Sequence, residues 1–173
     1  AGVGAERAVL HARSFGRPFH WDDELVVDAV RASVQRLHEY AAERGVTACA
    51  ENPEGDAIDV TDVPSLLTGT DASMCLDTGH AYGSGMDGSE QADFLQAHGD
   101  RIAHVHLNDT RRDDGDEHLP VGLGRIDFAE LTAAMAETDR RGTCTHETLR
   151  FVDRFDYVRT SKRRFDDVLA SAR

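Results

Sequence analysis

The chain has 173 residues, enough for a substantial core, and residues 1–173 read as one domain. Its 32 acidic residues against 19 basic ones give a net charge of −13, and only one basic residue, Lys162, is a lysine. That balance suits a protein kept soluble in the concentrated salt of a halophilic cytoplasm. It also lacks the basic footprint of a protein that grips free duplex DNA, so nucleic acid is disfavoured as a partner, though high cellular salt would weaken such a footprint and leaves that partner open.

Five short apolar runs punctuate the chain, each ending at or within a residue of an Asp, Glu or His. The first is Ala8-Val9-Leu10-His11. A helix is expected over 22–44, with Leu25, Val26, Ala29, Val30, Ser33, Val34, Leu37 and Tyr40 on one stripe. Asp22 or Asp23 is placed to cap its start and Gly45 to end it. The run Thr47-Ala48-Cys49-Ala50-Glu51 follows, then a short helix over 63–67, then Ser73-Met74-Cys75-Leu76-Asp77. Next come a helix over 90–98, the run Ile102-Ala103-His104-Val105-His106, a helix over 128–140, and Thr143-Cys144-Thr145-His146-Glu147. A sixth strand is expected at 155–158 and a last helix at 161–172.

Runs of this kind suit buried parallel strands, and their alternation with helices argues for a parallel α/β sheet, open or closed. A closed (β/α)8 barrel needs eight strands. Five or six leave two readings, a complete open sheet or the C-terminal two-thirds of a barrel without its first strands. Cys49, Cys75 and Cys144 all lie inside the runs with no C-x-x-C spacing, so buried reduced thiols are expected. No run approaches the roughly 18 apolar residues of a membrane span, and no signal-peptide pattern is present. A cytoplasmic location with no membrane partner is the expectation.

Parallel strands of a barrel direct their C-terminal ends at one face, so side chains far apart in sequence meet there. Asp77-Thr78-Gly79-His80 puts a carboxylate at a strand end and an imidazole three residues on. The competing reading is that Asp77 caps the next helix and His80 packs against it. His106-Leu107-Asn108-Asp109 repeats the pattern. His104, two residues earlier on the same face, is expected to be a satisfied interior histidine. Glu51-Asn52-Pro53 is a weak signal taken alone. Glu147 follows a β-prone stretch where an unpaired charge would be costly unless a metal or another cation sits beside it. In the loop over 113–124, Asp113 and Asp114 read as solvated acids, whereas Asp116 and His118 precede Gly and Pro residues that turn the chain back to the sheet. Convergent carboxylates and imidazoles point to a divalent-metal site.

In order and spacing, Leu76-Asp77-Thr78-Gly79-His80, His106-Leu107-Asn108-Asp109, the stretch from Asp116 to Phe128, and His146-Glu147-Thr148 together resemble the xylose isomerase-like TIM barrel superfamily. The resemblance runs from about Val9 to the C-terminus. That superfamily holds sugar-phosphate isomerases and epimerases and the endonuclease IV type of apurinic-site nuclease. The resemblance implies a (β/α)8 TIM barrel lacking its N-terminal strands here, since the strands expected before His11 are missing, along with a further histidine of the nuclease's cluster. It implies a divalent ion (manganese, magnesium, cobalt or zinc) held by Glu51, Asp77, His106 and Glu147. His80 would contact substrate in an epimerase or ligate a further metal in a nuclease. His11 resembles an additional nuclease ligand, and Asp116 with His118 its remaining pair. Arg112 stands where a related epimerase places a substrate-contacting arginine. An incomplete barrel would expose two sheet edges, which favours association into a homo-oligomer.

The segment from Gly122 to Phe128 resembles the isomerase and epimerase members more than the nuclease. The implied reaction is isomerisation or epimerisation of a small sugar or sugar phosphate through an enediolate, with Glu51 and Glu147 as alternating acid and base. The alternatives are an endonuclease IV-type hydrolase and a catalytically silent barrel fragment. Two structural expectations follow. The four ligand side chains should meet at one point, and their mutual repulsion should raise the pKa of at least one glutamate.

Overall fold

A computed structural model describes residues 4–12, 21–54, 58–112, 117–138, 142–149 and 154–172. Five parallel strands, β1 (Arg7–His11), β2 (Thr47–Glu51), β3 (Ser73–Asp77), β4 (Ile102–Leu107) and β5 (Thr143–His146), form one sheet in chain order. They make a curled half-barrel, and the five apolar runs account for all five. Among the described residues six helices stand between and after them: α1 (Asp23–Ala42), α2 (Val63–Leu66), α3 (Thr78–Gly83), α4 (Gly88–His98), α5 (Phe128–Glu137) and α6 (Arg154–Ser171).

The pleat sorts each strand into two faces. Ala50, Met74, Leu76, Val105 and Leu107 face the helices and are buried in the main apolar cluster. Glu51, Asp77 and His106 lie on the opposite face at the strands' C-terminal ends, with Cys49, Cys75 and His104 two residues earlier. Pairing sets these residues side by side, Cys75 against His104 and Asp77 against His106.

Local chemistry explains the helix ends. Asp22 accepts the Leu25 N–H at 3.0 Å to start α1. After α1, Gly45 takes φ +68°, which brings the Val46 N–H back to the Ala41 carbonyl at 3.0 Å. A short 3-10 turn, Val60–Asp62, capped by Asp59, leads into α2.

Three expectations are corrected. Residues 155–158 are not a strand. They lie within α6, where Asp156–Arg159 and Lys162–Asp166 ion pairs at three- and four-residue spacing and the buried Ser161 and Phe165 fix the helical period. The stripe of α1 is narrower than its sequence suggests: Val26, Val30 and Val34 are buried, while Leu25, Leu37 and Tyr40 are 51%, 47% and 60% exposed. α1 leans on β2, and among the described residues nothing beyond β1 covers the rest of its apolar side. Tyr40 is instead overlaid by the Arg44 guanidinium, 3.5 Å from the ring centre. Cys49 and Cys75 are buried as expected, but Cys144 is exposed, because β5 is an edge strand.

Candidate metal centre

Glu51 ends β2, Asp77 ends β3, His106 lies near the end of β4, and Glu147 follows β5. Their ligand atoms all lie within 4.8 Å of one another. His106 is the hub. Its Nδ1 lies 2.9 Å from Glu147 Oε2, 3.0 Å from Glu51 Oε1 and 3.7 Å from Asp77 Oδ2. Glu51 and Asp77 are buried, and Glu147 closes the group from a half-open position.

Asp77 caps the helix, as one sequence reading expected, and also turns toward His106. Its Oδ1 caps α3 by accepting the His80 N–H at 2.8 Å, while its Oδ2 accepts the Asn108 amide at 2.8 Å and faces His106. Sequence reasoning undervalued the residues that hold it. The Asn52 side chain grips the Asp77 backbone at both ends, accepting its N–H at 2.7 Å and donating to its carbonyl at 3.2 Å. Thr78 donates to the Asn108 carbonyl at 2.6 Å and accepts the Asn108 N–H at 3.1 Å, tying the ends of β3 and β4 together. The available signal was an asparagine directly or two residues after a strand-end ligand, a position that suits a short side chain bonding to backbone.

Asp109 enters the sequence reading only as part of a motif. It is fully buried, and its two oxygens accept four backbone N–H groups, from Thr110, Gly122, Gly124 and Ile126, at 2.8 to 3.1 Å. Burial pushes its carboxyl pKa up against the pull of those four donors. Gly124 is required there, because a Cβ would collide with Asp109 Oδ1 and the Thr110 carbonyl.

The remaining candidates surround the cluster unequally. His11 places Nε2 3.0 Å from Glu51 Oε2 and is half exposed. His80 directs Nδ1 to the Asn52 carbonyl at 3.0 Å, with Glu51 Oε1 at 3.7 Å. The His118 ring stands edge-on to that of His80, 6.1 Å between centres, and its backbone has φ 49°. Arg112 is exposed on the loop after β4. Asp116 lies outside the described residues. His104 is buried, with ring nitrogens 2.6 Å from Thr143 Oγ1 and 3.1 Å from Thr145 Oγ1, as expected of a satisfied interior histidine.

The electrostatics run against the expected rise at Glu147. Repulsion does not raise Glu147; the His106 imidazole 2.9 Å away lowers its pKa, against the opposing effect of burial. Burial works against charging His106, but Asp77, Cys75, Glu147 and Glu51 together outweigh it and raise its pKa. The imidazolium thus takes the place of the cation that the carboxylates need.

The donor set nevertheless fits a metal better than a proton. One Nδ1–H serves one acceptor well, yet three carboxylate oxygens crowd that nitrogen. The buried atoms Glu51 Oε2 and Glu147 Oε2 have no hydrogen bond of acceptable geometry, although an imidazole nitrogen lies within 3.0 Å of each. Three carboxylates and one imidazole are the ligands of a hard or borderline divalent ion.

Comparisons with known proteins identify the family and the fold. A family model described as "Xylose isomerase-like TIM barrel" matches residues 2–167. An L-ribulose 3-epimerase from Methylomonas sp. (strain DH-1) is 27% identical over 126 residues, covering 68% of this chain and 40% of the relative. An inosose dehydratase from Bacillus velezensis is 31% identical over 172 residues, covering 81% and 56%. The chain thus spans about half the length of such curated relatives. Among solved structures, a D-tagatose 3-epimerase-like protein superimposes with TM-score 0.79 at 23% identity, covering 96% of this chain and 63% of that one. The IolI protein with a bound zinc atom gives 0.78 at 18%, covering 98% and 65%. Endonuclease IV from Thermus thermophilus gives 0.69 at 22%, covering 98% and 63%.

Proposed function

The chain belongs to the xylose isomerase-like TIM barrel family, and from that premise we propose that it serves a divalent-metal-dependent isomerase or epimerase acting on a sugar or sugar phosphate. The observation that carries the reading is the convergence of Glu51, Asp77, His106 and Glu147 on one point at the C-terminal end of the sheet. When bound, a manganese, magnesium, cobalt or zinc ion there supplies the positive charge that stabilises an enediolate.

The chain's own residues supply the rest. Glu147, partly open at the mouth, takes the proton from the carbon beside the substrate carbonyl, and its lowered pKa keeps it ionised as a base near neutral pH. Glu51, 3.0 Å from the same His106 ring nitrogen, delivers a proton to the opposite face. His80, held by the Asn52 carbonyl, offers its other ring nitrogen to a sugar hydroxyl, and Arg112 stands on the loop that would meet a phosphate or outer hydroxyl.

The test is exchange of the α-proton of ketoses into deuterated water by manganese-loaded protein, followed by NMR. Glu147→Gln should abolish exchange, whereas His118→Ala or Asp116→Asn should reduce it far less. Incision of an abasic-site duplex without exchange on any ketose tried would overturn the reading.

A second reading, an endonuclease IV-type hydrolase, draws on three imidazoles beside the carboxylates: His11 against Glu51 Oε2, and His80 facing His118. Bound-metal stoichiometry separates the two. One ion per chain supports the sugar enzyme, and three support the nuclease, in which Asp116 and His118 would also be ligands.

A further inference from the structure

One layer below the carboxylate cluster, on the same face of the sheet, lies a second group with a different donor set. The Cys75 thiol and ring nitrogens of His104 and His106 offer three ligand atoms within 4.8 Å of one another. The sheet imposes this grouping. Cys75 pairs with His104 across β3 and β4, and His106 follows on the same face two residues along. Cys75 is fully buried and His104 nearly so, so neither side chain is placed there by solvation.

We propose that Cys75, His104 and His106 form a separate site for a soft or borderline divalent ion of the zinc and cadmium class, beneath the oxygen-rich site and sharing His106 with it. Softness sorts the ions: a thiolate with two imidazoles prefers soft and borderline metals, whereas manganese and magnesium prefer carboxylates. Three protein ligands with a fourth position left to water or a hydroxyl is a common arrangement for such ions. The surroundings suit it. Thr143 Oγ1 and Thr145 Oγ1 flank the two ring nitrogens of His104. When one nitrogen turns to a metal, the threonine on the other still fixes the ring, as outer hydrogen bonds do at metal-bound histidines. Formation of the metal–sulfur bond releases the thiol proton to solvent, so one proton leaves for each ion taken up. The inference stands apart from the sugar-enzyme reading in Cys75 and His104, which have no part in that reading; only His106 is common to both.

The test adds cadmium to the purified protein and follows thiolate-to-cadmium charge-transfer absorbance together with X-ray absorption of the bound ion. One sulfur per bound cadmium is expected. Manganese binding should show only nitrogen and oxygen neighbours. The band should vanish in Cys75→Ser, while manganese affinity stays within a few fold of the parent. His104→Gln should weaken cadmium binding by roughly an order of magnitude or more. The double variant Cys49→Ser/Cys144→Ser keeps Cys75 as the sole cysteine, and it should keep the band even if Cys75→Ser fails to fold. A cadmium shell of nitrogen and oxygen alone in the parent, a band that survives Cys75→Ser, or its loss in the double variant would each overturn the proposal.

Discussion

Asp77 shows how one carboxylate can serve two neighbours at once: one oxygen caps α3 and the other faces His106. A carboxylate has enough lone pairs for both, so the helix cap aims the second oxygen at His106 instead of competing with it. Asp109 is the opposite case, a buried charge with no part in the cluster, and its four N–H donors make the loop after β4 depend on it. Asp109→Ala should therefore cost about 2–5 kcal/mol in urea unfolding, because it leaves four donors, those of Thr110 and Ile126 buried, without an acceptor. Gly124→Ala should destabilise through the same contact and make the loop more sensitive to proteolysis. A further prediction concerns pH. In the presence of chelator, Glu147 has a folded pKa below its ordinary 4.5, held down by His106. Its contribution to stability is then complete above the unfolded value and is lost as pH falls from about that point through the folded value. Melting temperature against pH should accordingly fall more steeply below pH ~4.5 in the parent than in Glu147→Gln. Equal acid slopes would show that the His106–Glu147 contact carries no linkage.

Elements were legible where their signal was local. The five strands stand out because each is a compact apolar run beside a chemical end residue, and the four residues that converge could be read from those ends. What escaped was set by neighbours outside each segment. Phe155-Asp156-Tyr157-Val158 looks β-prone in isolation but belongs to a helix that its later charge spacing sustains. Leu25, Leu37 and Tyr40 match the helical period of α1, yet a periodic pattern cannot report whether a partner covers the whole stripe. The position of Asn52 and Asn108 after strand ends hinted at a support but could not name its target, because the partners are the backbone of Asp77, 25 residues from Asn52, and its side chain, 31 residues from Asn108. The uneven burial of α1 gives a direct measurement. Val34→Ala, which removes methyl groups from the covered ridge, should cost about 1–3 kcal/mol. Leu37→Ala, on the uncovered side, should stay within about 0.5 kcal/mol of the parent. Equal losses would mean that something covers α1 in solution.

At the scale of the whole molecule, acidity dominates: a net charge of −13 on 173 residues, with a carboxylate cluster that concentrates part of it at one end of the sheet. Two kinds of cation can relieve that repulsion, and they leave different signatures. Monovalent salt screens surface charges over a Debye length that shrinks from about 10 Å at 0.1 M to about 3 Å at 1 M. It should raise the melting temperature gradually, alike in the parent and in Glu147→Gln. A divalent ion at the four-ligand site acts by mass action on the folded state, adding about 2.7 kcal/mol at a hundredfold excess over its Kd. That increment should saturate, vanish on adding chelator, and largely disappear in Glu147→Gln, since one of the four ligands is gone and the buried Glu51 and Asp77 cannot close the site alone. The comparison has to be made at matched ionic strength, with magnesium, manganese and zinc each tested against sodium chloride. If the divalent ions stabilise the parent and Glu147→Gln equally, they act only as counter-ions of an acidic surface. The proposal that the quartet is a metal site would then fall, whatever the family to which the chain belongs.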